Sequence, residues 1–266
     1  MAETRNTPPL AGVRVLVTRP AHQAEPLARL IEQAGGSAIR FPTLAIAPPQ
    51  ALAALYSILD RLAEFDLAIF ISPNAVEQGL ALLAQRGLAW PASMDVAGVG
   101  MGTVQALAHR GIGRVVAPER RYDSEGLLEH PALAQIAGRR VVIFRGEGGR
   151  ELLGRTLTER GAAVTYAECY RRVRPDVDVA PMRERLARGE IDIISVTSTE
   201  GLRNLYDMIG DAGRAPLIKT PVVVLSESQA AVSRTLGFGA PLVAAGASDT
   251  AILDAIEAWR APRISL

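Results

Sequence analysis

The strongest constraint in this sequence is that it repeats itself. Gly12-Val-Arg-Val-Leu-Val-Thr-Arg19 reads like Gly138-Arg-Arg-Val-Val-Ile-Phe-Arg145 at an offset of 126 residues, and the offset persists without a gap. Gly35 falls on Gly161, Asp66 on Asp192, Ser72 on Ser198, Val96 on Val222, Gly111 on Gly237 and Asp123 on Asp249. A register held from Gly12 to Asp123 is the mark of a duplicated half, and each copy must be a structural unit of its own pattern.

That pattern is apolar strand, then helix. A short apolar run (Val13–Val17; Val141–Phe144) leads into an amphipathic helix, with Leu27, Leu30, Ile31 and Ala34 at helical spacing and Gly35-Gly36 as the stop. Pro26 is expected in the first turn of that helix, where a missing N–H costs nothing. The matching helix is expected from about Gly149 to Arg160. Further strands are expected at Ala38–Phe41 and Ala163–Tyr166, and at Leu67–Ile71 and Ile193–Val196, the last pair each after an aspartate. Val96–Val99 and Val222–Leu225 open a fourth unit, and Arg114–Ala117 and Leu242–Ala244 a last one, with helices near Ser124–Leu128 and Asp249–Trp259. Continuous apolar strands alternating with helices indicate parallel sheets covered on both faces. The expected fold is α/β, with two doubly wound parallel-sheet domains. A chain of 266 residues, 48% of them hydrophobic, is long and apolar enough for two cores.

The division between the domains does not fall at the repeat boundary. Pro42-Thr-Leu-Ala-Ile-Ala-Pro-Pro49 and Ala167-Glu-Cys-Tyr-Arg-Arg-Val-Arg-Pro175 lack helical periodicity, carry prolines and occupy matching places in the repeat. Two such linkers imply that the chain crosses twice between domains, pairing as a two-stranded ladder. Residues 1–42 and 173–266 are then one discontinuous domain and 50–166 the other, with linkers 43–49 and 167–172.

Composition excludes several functions. A net charge of +1 and 5% aromatic residues supply neither the field nor the stacking platforms of a nucleic-acid binder. Apolar runs are interrupted before membrane-spanning length. The start, MAETRNTPPL, shows no secretion signal, and the single cysteine, Cys169, allows no internal disulfide and fits a reducing compartment. A cytoplasmic monomer is expected.

The candidate chemistry lies in the turns after strands. Gly98-Val-Gly100-Met-Gly102 suggests a dinucleotide loop, but Thr103 stands where the third glycine is needed and the repeat copy, Leu225-Ser-Glu-Ser-Gln, has no glycine. Arg145-Gly146-Glu-Gly148-Gly-Arg150 lies between strand and helix, where backbone N–H groups, a helix N-terminus and flanking arginines suit an anion. Ser72, Asn74, Thr103, Ser198, Ser226 and Ser228 stand at helix starts, each explicable as a cap alone. Together they mark the carboxyl edges of parallel sheets, where such folds bind ligands. His22, His109 and His130 have no metal-ligand spacing, no nucleophile elbow is present, and no cofactor is expected. A two-lobed, non-catalytic domain that senses an acidic ligand fits these features as well as an enzyme does.

Several stretches narrow that choice. Val15-Leu-Val-Thr-Arg19-Pro-Ala-His-Gln-Ala, Phe70-Ile-Ser72-Pro-Asn74-Ala-Val and Val96-Ala-Gly-Val-Gly-Met-Gly-Thr103 resemble uroporphyrinogen-III synthases. So do Tyr122-Asp-Ser-Glu-Gly-Leu-Leu, Phe144-Arg-Gly-Glu-Gly-Gly-Arg-Glu-Leu-Leu and Tyr170-Arg-Arg-Val-Arg-Pro, in order along the chain. The resemblance implies two α/β domains joined by a ladder, no cofactor, and the linear, polyacidic tetrapyrrole hydroxymethylbilane as substrate. It implies loss of water at ring A, attack by ring D through its substituted carbon, and reclosure with ring D inverted. Arg19, Ser72, Asn74, Thr103, Arg145, Gly146, Gly148, Arg150, Ser198, Ser226 and Ser228 become candidate substrate contacts. Tyr170, matching the family's prominent tyrosine, becomes the candidate acid for the departing hydroxyl. One place departs from the pattern: Ser226-Glu-Ser228 stands where many relatives have threonines, and Glu227 would repel a carboxylate.

Overall fold

A computed structural model describes residues 8–149 and 151–261. The chain opens with β1 (Arg14–Val17), α1 (Ala21–Gln33), β2 (Ser37–Arg40) and β3 (Ala45–Ala47). It continues with α2 (Leu52–Leu59), β4 (Leu67–Phe70), α3 (Pro73–Gln85), β5 (Asp95–Gly98), α4 (Met101–His109) and β6 (Val115–Val116). Short helices α5 (Ser124–Glu129) and α6 (Pro131–Ala134) precede β7 (Arg140–Gly146), α7 (Leu152–Glu159) and β8 (Ala163–Val173). The rest is α8 (Ala180–Ala187), β9 (Ile193–Ser195), α9 (Thr199–Lys219), β10 (Val222–Val224), α10 (Glu227–Thr235), β11 (Leu242–Val243) and α11 (Asp249–Arg260).

These elements form two sheets, β11-β10-β9-β1-β2 and β3-β8-β7-β4-β5-β6. The five strands of the first pair in parallel throughout, as do β8, β7, β4, β5 and β6 of the second. Correspondingly, the chain clusters into two compact units: residues up to Ala45 with those from Val173 onward, and Ile46–Arg172. In each unit the two strands that open one half of the sequence lie beside the three that close the other half. The first unit therefore has the doubly wound order 2-1-3-4-5 and the second, β8-β7-β4-β5-β6, a circular permutation of it, with a topological switch point between β1 and β9 in one and between β7 and β4 in the other.

Alternation along the strands builds a core on each sheet face. In the first unit Leu16, Ile194, Val222 and Val224 pack on Met182, Leu186, Leu202 and Leu205. Val15, Val17, Ile193 and Val223 pack on Leu27, Ile31, Ile252 and Ile256 on the opposite face. In the second, Phe70 and Phe144 stack at 4.5 Å between ring centroids over α3, while Ile69, Val141 and Ile143 face Leu127, Leu153 and Leu157. The aspartate before each third strand has a defined task. Asp192 accepts from the Arg14 backbone N–H at 2.7 Å and its Nε at 2.9 Å; Asp66 accepts from the Arg140 backbone N–H at 2.7 Å. Each ties the amino end of its unit's central strand to the neighbouring connection.

Several sequence expectations are corrected. Helix α1 begins at Ala21, so Pro26 lies in its second turn and not its first; the missing N–H is one that would have reached the His22 carbonyl. The helix after β7 starts at Leu152, because Gly148 turns the chain through a left-handed φ of +71°. Helices α2 and α8 have no signal in the periodicity: Leu52–Leu59 is apolar nearly all round, and α8 buries only Met182 and Leu186. Strand β8 does not stop at Tyr166 but runs on through Tyr170 to Val173. Gly210, at φ +61°, breaks α9, and Arg183 donates to the freed carbonyls of Ile209 and Met208 at 2.7 and 3.2 Å. Among the described residues no helix is long and apolar enough to cross a membrane.

Candidate active site

The best-formed constellation sits at the switch point of the Ile46–Arg172 unit, at the carboxyl ends of β7 and β4. Pairing between β7 and β8 slips there: Arg145 faces Glu168, but Gly146 faces Tyr170, leaving Cys169 as the extra residue of a bulge. Without the bulge, alternation would send Tyr170 to the α7 side with Tyr166 and Glu168. The slip re-aims it toward α3. Its ring lies directly over Gly146, and the Glu147 N–H donates to the Tyr170 carbonyl at 2.9 Å.

Ser72 meets Tyr170 from the other strand. It is extended (φ −161°, ψ 161°), caps α3 by accepting from the Ala75 N–H at 3.1 Å, and has Pro73 as the first helical residue. Its Oγ lies 3.1 Å from the Tyr170 hydroxyl, and either oxygen can donate. Tyr170 is 3% exposed, so the phenol is held in one place. Two hydroxyls are thus paired at a helix N-terminus, where partial positive charge favours developing negative charge. Asn74 is half-buried in the first turn of the same helix. Cys169 is no nucleophile: burial pushes its thiol up to about 12.

Other candidates are placed differently. Thr103 is not a cap; Gly100, at φ +90°, holds that position before α4, and the buried Thr103 hydroxyl donates to the Val99 carbonyl at 2.8 Å. Arg145 is 5% exposed and already paired with two carboxylates, Glu151 and Glu168, so its fork is not open to a third. Arg150 lies outside the described residues. In the other unit Arg19, after β1, is ion-paired with Asp249. There Ser198 caps α9 by accepting from the Gly201 N–H at 2.9 Å, and Ser226 caps α10 with Ser228 Oγ 2.9 Å away. Glu227 is exposed and 3.8 Å from Arg234.

The structure therefore brings Ser72, Gly146 and Tyr170 into one contact, while Arg19, Ser198, Ser226 and Ser228 stand at strand ends of the other unit. Sequence reasoning passed over Glu151, Tyr166 and Glu168. Period-two spacing of Tyr166 and Glu168 on one strand face was the available signal.

Comparison with known proteins supplies the remaining information. The family profile described as uroporphyrinogen-III synthase HemD matches residues 25–254. The uroporphyrinogen-III synthase of Escherichia coli K12 is 37% identical over 244 residues, covering 91% of this chain and 99% of the relative. That of Synechococcus elongatus is 33% identical over 203 residues, 76% of each chain. Among solved structures, a mutant uroporphyrinogen III synthase of Thermus thermophilus aligns with a TM-score of 0.61 at 20% identity, covering 93% of this chain and 98% of that one. The Helicobacter pylori uroporphyrinogen-III synthetase aligns at 0.58 and 13%, covering 93% and 99%. At those identities the structural likeness is one of fold.

Proposed function

The chain belongs to the uroporphyrinogen-III synthase family of haem biosynthesis, and from that premise we propose that it converts hydroxymethylbilane into uroporphyrinogen III. Water leaves ring A as its C–O bond breaks, giving an electrophilic azafulvene. Ring D then attacks through its substituted carbon, and the resulting spiro intermediate opens and recloses with ring D inverted. Likeness to the Escherichia coli enzyme across 91% of this chain is the observation that carries the reading.

Within it, Tyr170 donates a proton to the departing hydroxyl, and Ser72 orients the phenol and returns a proton to it. A neutral phenol does this without repelling a polyacid. A general acid of this kind contributes about 10²- to 10⁴-fold. The larger share falls to orientation, which in favourable cases contributes roughly 7–11 kcal/mol. Backbone N–H groups near Gly146 and Gly148, with Asn74, Arg150, Arg19, Ser198, Ser226 and Ser228, are the proposed carboxylate contacts. The substrate arrives activated, so no metal or organic cofactor is invoked.

We further read residues 1–42 with 173–266, and 50–166, as two domains derived from one duplicated half, working as a cytoplasmic monomer without nucleic-acid or membrane partners. The test of the central claim is to generate the bilane in situ, add the protein, oxidise the products and separate the isomers. Type III product is expected; type I alone, the isomer in which the bilane closes unaided without inverting ring D, would mean that the protein only binds.

A further inference from the structure

We propose that Arg145, Glu151, Tyr166 and Glu168 form a positioning cluster that clasps the turn between β7 and α7 and so holds Gly146 against Tyr170. The proposal rests on the catalytic reading above and gives Arg145 a role through the turn, not a hold on substrate.

The geometry is that of a clasp. Arg145 is the residue before the turn and Glu151 the residue after it, and Arg145 Nη1 and Nη2 both donate to Glu151 Oε1 at 3.1 Å. Nε and Nη2 donate to Glu168 Oε1 on the neighbouring strand at 3.2 and 3.0 Å. The guanidinium also lies over the Tyr166 ring, 4.1 Å from its centroid, and the Tyr166 hydroxyl donates to Glu151 Oε2 at 2.9 Å. Each side chain thus restrains another, and β7, β8 and the entry to α7 are tied at one point. Room for the phenol is built into α7. A Cβ on Gly154 would lie 1.9 Å from the Tyr166 hydroxyl.

Charge argues against an open anion site here. One buried cation faces two carboxylates, so the cluster carries surplus negative charge, and an incoming carboxylate would have to displace Glu151 or Glu168. Both of those side chains keep contact with water, at 65% and 39% exposure, so hydration limits the cost of the surplus. A planar fork gripping two carboxylates fixes direction as well as distance, which a lysine or an apolar residue cannot do. What it fixes is the turn that begins at Gly146, one residue from Arg145 and in contact with the Tyr170 ring.

The test uses Arg145→Met, Arg145→Lys and Tyr166→Phe in the full chain, with kcat, KM and hydrogen exchange of a peptide spanning 146–149. For Arg145→Met we expect kcat to fall about tenfold or more with KM within about threefold, the signature of lost transition-state geometry. Exchange of the turn should quicken while the rest of the unit stays protected. Arg145→Lys should restore part of both, and Tyr166→Phe should reproduce the pattern at smaller size. A rise in KM with kcat unchanged would make Arg145 a ligand, and unchanged kcat and exchange would make it packing; either overturns the proposal. Should Arg145→Met not fold, Tyr166→Phe decides: normal exchange and kcat there would also overturn it. Wild-type protein yielding only type I product would sink the catalytic reading, whereas the exchange comparison would still judge the clasp.

Discussion

Gly146 faces the Tyr170 ring so closely that a Cβ on it would lie 2.7 Å from Cε2 and 2.8 Å from Cζ. Neither partner can move aside cheaply, since the ring is 3% exposed and Gly146 is buried within β7. Gly146→Ala should therefore cost about 1–3 kcal/mol of stability, the usual range for overpacking a core. It should also lower turnover at least as much as deleting the phenol, because the ring must leave Ser72. Thermal unfolding and the isomer assay, run on one preparation, check both; a fully active, equally stable variant would show that the ring is not held.

Tyr170→Phe removes one hydroxyl and leaves the packing. Turnover should drop about 10²-fold or more, as for a lost general acid, with the residual product still mostly type III. Ser72→Ala should combine a smaller loss of turnover with about 0.5–2 kcal/mol of destabilisation from the lost cap. Single-turnover rates and denaturant titrations separate the two. Wild-type turnover in Tyr170→Phe would leave the residue a packing role alone.

Much of the fold was legible because its signals are local. Apolar runs at Val15–Val17 and Val141–Phe144, and the glycines that stop helices at Gly35 and Gly161, need no knowledge of neighbours. Asp66 and Asp192 were visible as a matched pair, but their work as acceptors for strand amides depends on which strands adjoin. The site was harder to read. Ser72 as a cap and Tyr170 by resemblance were accessible, yet the bulge at Cys169 that joins them is set by pairing between strands. The ion pair of Arg145 with Glu168 was hidden for a similar reason: the two residues come from different strands.

Asp192 offers a pH test. The Arg14 side chain, then that residue's backbone N–H, hold its carboxyl below the ordinary aspartate value of 3.8, against opposition from burial. The folded state thus prefers the ionised form. Its stabilisation is full above pH 3.8 and fades as pH falls through the lowered value. Asp192→Asn should be less stable than wild type at neutral pH, and the gap should close in acid. Chemical denaturation at a series of pH values measures it; a constant gap would show that the carboxylate contributes nothing specific.

Cys169 gives the mirror case. Burial raises its thiol from 9.0 to about 12, so between those values the unfolded chain ionises while the folded one does not. Stability from this group is complete below pH 9.0 and lost as pH rises toward 12. Cys169→Ala should show a shallower alkaline decline. Thiol reagents should label the wild type at about pH 8, near the ordinary thiol value, only at the rate of unfolding, and rapid labelling of native protein would contradict the burial.

The exchange of strands between sequence halves also dictates an order of assembly during synthesis. Residues Ile46–Arg172 are contiguous and can close their sheet as soon as β8 has left the ribosome. Strands β1 and β2 are made first, yet β1 must wait for β9, which follows the whole of that unit. At the usual elongation rate of about 5–20 residues per second, β1 stays unpaired on that side for on the order of ten seconds. β1 is thus covered on that side only after the whole contiguous unit has been made, and a nascent chain stalled before β9 would present β1 as an open edge for aggregation.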